Sequence, residues 1–246
     1  MKAAYPICLL LLLLQLSFLR AEEVILQNGL QQYEGASDAT LNGQMEGSRM
    51  LNSGHSAVLK VAGVPNGGIR QLGMIQFSDL STAGKIPKGA AIQSAKLELY
   101  KLKDAGNEET FSKLQPSQRY LHAYLVLKPW KAGTADGATD EEGVTFSHRK
   151  SQGEIPDFWG NANQIESGPV ADIDYDAKKP VASPLEQGVE GEWMSWDVTR
   201  FVQQWVENPE SNHGVLLLAR SFYAGAHFAS CEAEDQQLRP RLVITY

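Results

Sequence analysis

Arg239-Pro240-Arg241-Leu242-Val243-Ile244-Thr245-Tyr246 is an apolar, β-branched run with proline only at its mouth, the composition of a half-buried strand. A strand in this last position predicts that the fold closes on it. Just upstream, Phe228-Ala229-Ser230-Cys231-Glu232 reads as a further strand, and residues 233–238 between the two are polar and acidic. The two runs and their short connection are therefore expected to form a terminal hairpin.

The same grammar extends upstream. From Glu23 onward glycines recur at short intervals with brief apolar runs between them, the pattern of an all-β chain. Strands are predicted at 24–27, 39–41, 57–61, 72–77, 91–102, 121–127, 192–197, 214–219, 227–232 and 242–246. The clearest lies within 91–102, where residues alternate apolar and polar from Ala95, so that one face packs inward and the other, with Lys96, Glu98 and Lys101 among its polar members, meets water or a polar neighbour. One segment breaks this rhythm. Val198, Phe201, Val202, Trp205 and Val206 recur at helical spacing, predicting a short amphipathic helix capped by Asp197 and ended by Asn208-Pro209. Residues 103–117 and 134–185 read as long loops. The fold class expected is a β-sandwich with one short helix.

The other terminus is written differently. Lys2, the apolar run from Ile7 to Leu14, and Leu19-Arg20-Ala21 before Glu22-Glu23 have the layout of a secretory signal peptide, residues 1–21, with residues 22–246 as one mature domain. The apolar run is too short to span a bilayer, so no membrane insertion is expected after cleavage. Losing Lys2 and Arg20 moves the formal charge from −7 to −9, and an acidic surface repels nucleic acid and anionic lipid. Cleavage also removes Cys8, leaving Cys231 as a lone thiol, read as buried and inert. Export without a disulfide leans towards a bacterial source.

Candidate chemistry is sparse. No Gly-x-Ser-x-Gly, His-Glu-x-x-His, Cys-x-x-Cys or phosphate-cradling glycine loop occurs, so no catalytic residues are assigned. The alternating Asp172, Asp174 and Asp176 lack the glycine and glutamate an EF-hand needs. Asp38 and Glu232 are candidate ligands of a structural calcium; alternatively Glu232 pairs with an arginine such as Arg70 or Arg239. Trp130, Trp196 and Trp205 are read as core. Pro156-Asp157-Phe158-Trp159-Gly160-Asn161 instead sets two large aromatics in a polar loop, where Phe158, Trp159, Tyr175 and Tyr223 form either a platform for a sugar ring or a small core beneath the loop. Arg149, Lys150 and Asn161, with Asp157, would supply polar contacts to such a ligand.

Several of these pieces occur in a familiar order. Arg70-Gln71-Leu72-Gly73-Met74-Ile75-Gln76-Phe77-Ser78-Asp79-Leu80, Ile86-Pro87-Lys88-Gly89 and Ser94-Ala95-Lys96-Leu97-Glu98-Leu99-Tyr100 resemble the opening half of the DNRLRE domain. Trp130, Val144-Thr145-Phe146, Trp196-Asp197-Val198-Thr199, Asn212-His213-Gly214-Val215-Leu216-Leu217 and the closing Phe228–Glu232 and Arg239–Val243 runs resemble its second half. That family is similar to disaggregatase-related surface repeats and overlaps a carbohydrate-binding-module family. The resemblance implies a jelly-roll type β-sandwich, export, and a binding or surface-structural role. Taken together, the expectation is a secreted, non-catalytic protein of the cell surface or extracellular matrix whose partner is a polysaccharide or cell-surface glycan. The rivals are a structural protein assembling through sheet edges or Cys231, and a polysaccharide hydrolase or lyase using the acidic loop.

Overall fold

A computed structural model describes residues 21–44, 46–63, 70–82, 85–106, 108–150, 157–160 and 168–246, without the side chains of Glu46 and Lys150. Residues 1–20, all but the last residue of the expected signal peptide, and Asn161 lie outside the described residues. Strands β1 Glu23–Leu26, β2 Ala36–Asn42, β3 Val58–Ala62, β4 Gln71–Phe77, β5 Ser94–Asp104 and β6 Tyr120–Leu125 come first. The short β7 His148–Lys150, β8 Asp157–Phe158 and β9 Val181–Pro184 follow, and then β10 Glu192–Asp197, β11 Val215–Ala219, β12 Gly225–Ala229 and β13 Arg241–Thr245. The helices are α1 Glu108–Ser112, inside a stretch expected to be loop, and α2 Thr199–Glu207.

All the strand pairings are antiparallel, and eleven strands form one sheet that folds over on itself. This is the expected all-β sandwich. The front layer is built around β5, which pairs with β10 along one edge and with β13 and then β12 along the other; β1 adds to β13 and β3 to β12. The back layer runs β2-β4-β11-β6-β9. A single pair, Ala62 with Gln71, joins β3 to β4 at the fold-over. There Gly73 is needed for close approach, since a Cβ on it would sit 2.9 Å from Val61 Cγ2.

The terminal hairpin is not formed. β12 and β13 do not pair with each other; both run antiparallel to β5, β12 beside Lys101 to Asp104 and β13 beside Ser94 to Glu98. They are two segments of one strand line, and residues 230–240 bulge out between them. The bulge is held from behind: Asp38 Oδ2 accepts from Cys231 N at 2.6 Å, and Gln27 Nε2 donates to Arg239 O at 2.6 Å.

Alternation fills the space between the layers. Ala95, Leu97 and Leu99 of β5 face Ile75, Leu217, Leu121 and Ala123 of the back layer within one core, and Trp196 Nε1 bridges the layers to Leu121 O at 2.9 Å. Helix α2 closes one end. Phe201, Val202, Trp205 and Val206 are buried, at about 1.5–3 kcal/mol for each large side chain removed from water. The N-cap is Val198 rather than the expected Asp197; Asp197, one residue earlier, accepts from Thr199 N at 3.1 Å and Thr199 Oγ1 at 2.6 Å.

The outer face of the back layer is not solvated. Leu72, Met74, Tyr124, Leu216 and Leu218 form a second core with Val126, Trp130, Val144, Phe146 and Trp159. The described parts of residues 126–176, those from 134 on expected to lie in a long loop, are thus a cover. It is pinned by buried polar side chains: Asn52 donates to Ala132 O and Val144 O, and Asp174 Oδ2 accepts from Gly160 N at 2.7 Å and Val170 N at 2.8 Å.

Candidate functional site

The residues singled out from the sequence fall mostly in that cover. Trp159 is 0% exposed, and its indole N–H donates to Thr145 O at 3.0 Å. The platform reading is corrected here: a ring with no face in solvent cannot stack on a sugar, and Trp159 serves the small core beneath the loop. Phe158 lies on the β7–β8 ribbon against His148, with ring centroids 4.5 Å apart. Arg149, on the same ribbon, spends its guanidinium on the Asp157 carboxylate, and Lys150 ends β7. Tyr175 packs edge-on to Tyr124 at 5.1 Å. Tyr223 is elsewhere, packed against the first core. The candidate set is therefore divided between the two cores.

The proposed cation pair is also engaged otherwise. Asp38 is 3% exposed, and burial pushes its carboxyl up to about 7, a shift that its hydrogen bonds from Cys231 oppose. Glu232 lies in a turn, not a strand, and its partner is His55, with Nδ1 3.5 Å from Oε2, rather than Arg70 or Arg239. Among the described residues no group of three potential ligands converges. Cys231 is buried beside Asp38, and burial and that carboxyl raise its thiol well above the usual range. Asp172, Asp174 and Asp176 accept backbone N–H groups of their own loop, the role of turn carboxylates.

With the back layer covered, the front layer presents the open sheet face. Register maps its outward side chains. Trp193 of β10 lies opposite Tyr100 of β5, their rings edge to face at 5.5 Å. In the next row Arg241 of β13 lies opposite Glu98, with Nε 2.6 Å from Oε2, and its guanidinium sits 4.0 Å from the Trp193 ring centroid. Further along, Lys60 of β3, His227 of β12 and Lys103 of β5 stand in one row across three strands. Burial and the two lysines hold His227 down to about 4, so it is neutral at physiological pH.

Beside the Trp193–Tyr100 pair the front-layer edge β10 faces the back-layer edge β9 across a groove of about 310 Å³, lined in part by Trp193, Glu192, Ser195, Ser183 and Glu186. A buried ion pair sets its base: Lys101, 4% exposed, reaches Asp104 at 2.5 Å and Glu186 O at 2.5 Å, while Asp104 Oδ2 accepts from Gly188 N at 2.7 Å. The pair ties β5 to the turn between β9 and β10. Pro184, Leu185 and Glu186 also wall a second cleft of about 460 Å³ that includes Tyr120, Arg119, Phe111 and Gln187.

Neither the protein-family models nor the curated proteins searched contain a match to the chain.

Trp193 was missed by the sequence reading, although the signal was present. Trp196 and Met194 are inward residues of β10, and in a strand Trp193 then points the other way.

Proposed function

We propose that this protein is an exported, non-catalytic polysaccharide-binding β-sandwich whose ligand lies on the open face of the front layer. The observation that carries this reading is the half-buried Trp193–Tyr100 pair on that face, set with Arg241 and Glu98 and beside a groove lined by carboxylates and hydroxyls. Aromatic rings offer the C–H faces of a pyranose a surface to pack on, and neighbouring fixed polar groups take its hydroxyls. Rings seated on strands of a rigid sheet lose little entropy on binding. Export rests on the leader-like residues 1–21.

Affinity electrophoresis of the mature chain in gels containing neutral and acidic polysaccharides tests the reading. Retardation by at least one polysaccharide is expected, and Tyr100→Ala should restore free mobility in that gel. Retardation that Tyr100→Ala leaves unchanged would place the ligand elsewhere.

A further inference from the structure

We infer that the ligand is a neutral, linear polysaccharide gripped along its interior, running from the Trp193–Tyr100 pair through the β9–β10 groove into the cleft beyond Pro184–Glu186. This rests on the glycan reading above and adds the charge of the chain and how it is held. Two observations support it.

The first is continuity. Trp193 belongs both to the aromatic pair and to the groove wall, and Pro184, Leu185 and Glu186 belong to both the groove and the cleft. A chain leaving the aromatic pair over the β10 edge therefore meets concave surface twice more. Tyr120, half-buried at the far end, provides another ring.

The second is charge. Glu186 and Glu192 line the groove, and its one cation, Lys101, is already matched by Asp104. The cleft shares Glu186 and adds Glu108 against Arg119, whose Nε donates to Leu114 O and whose guanidinium covers the Phe111 ring at 5.2 Å. Carboxylates accept hydrogen bonds from hydroxyl groups and repel a polyanion.

An anionic chain would instead turn the other way, from Tyr100 towards the row Lys60–His227–Lys103. That row lines neither the groove nor the cleft.

Isothermal titration of the mature chain decides between the two paths, using gluco-, manno- and xylo-oligosaccharides from the disaccharide to the octasaccharide, with oligouronates of the same lengths as the acidic arm. The inference expects affinity in one neutral series to rise about ten-fold or more from disaccharide to hexasaccharide. It also expects Tyr120→Ala to pull the hexasaccharide affinity down towards that of the disaccharide, and the oligouronates to bind more weakly. Length-independent affinity would overturn it while leaving the glycan reading intact. So would a preference for oligouronates that Lys60→Gln with Lys103→Gln abolishes. Failure of every series to bind the wild type would remove the glycan reading, and this inference with it.

Discussion

Asp38 and Trp159 show how burial reassigns a residue. The carboxyl of Asp38, pushed up to about 7, stays protonated in the folded protein at pH values where an unfolded aspartate, ionising at about 3.9, has lost its proton. The native state then binds one more proton than the unfolded state. Stability should therefore fall as pH rises between these two values, by about 1.4 kcal/mol per pH unit, and the loss should level off above the folded value. Asp38→Asn keeps an acceptor for Cys231 N and removes this slope. Urea unfolding at several pH values should show the variant gaining on the wild type from pH 4 to 7, whereas parallel stability curves would refute the assignment. Trp159 supplies a second test. Fully buried with its N–H bonded, it should cost about 3–5 kcal/mol when cut to alanine, read as a lowered urea midpoint. A Trp159→Ala variant of unchanged stability would mean that the cover does not depend on it. The sequence placed this residue in a polar loop because its partners, Val144 and Leu216 among them, come from distant segments that local pattern does not connect.

Elements were legible where their own side chains explain them. The alternation of β5 and the helical spacing of α2 each record one buried face, and both formed as the pattern requires except at Lys101, expected on the polar face of β5 but buried with Leu97 and Leu99. Connections were less legible. Residues 233–238 look like a hairpin turn, yet β5 is long enough to take β12 and β13 end to end, and Asp38 and Gln27 hold the bulge between them. Pairing partners that distant leave no mark in a local window. The cover did leave one: Val215-Leu216-Leu217-Leu218-Ala219 is apolar throughout and buried throughout, as a strand packed on both faces must be. The tie between β5 and the β9–β10 turn gives a prediction at this scale. Asp104→Leu strands the buried Lys101 ammonium and should destabilise by about 3–5 kcal/mol, while Lys101→Met with Asp104→Leu should recover most of that loss. Thermal denaturation of the two variants checks it; equal destabilisation would show that the pair adds nothing beyond the shapes of its side chains.

The molecule as a whole is asymmetric. Both layers share the first core, but only the back layer has its outer face sealed by the described parts of residues 126–176. Sealing buries Trp130 and Trp159 and leaves Trp193 and Tyr100 as an aromatic pair on an open sheet face. Sequence alone could count the tryptophans but could not say which face each would share, and for that reason it favoured Trp159. The second core shares β2, β4, β6 and β11 with the first, so the cover should not open as an independent unit. Calorimetry is expected to show one transition, and two resolved transitions would separate the cover from the sandwich. The proposed function turns on the open face. Titrating one retained polysaccharide into wild type and Trp193→Ala, with circular dichroism confirming an unchanged fold, is the most direct test. The account predicts a loss of about ten-fold or more in affinity; equal affinity for the two proteins would contradict it.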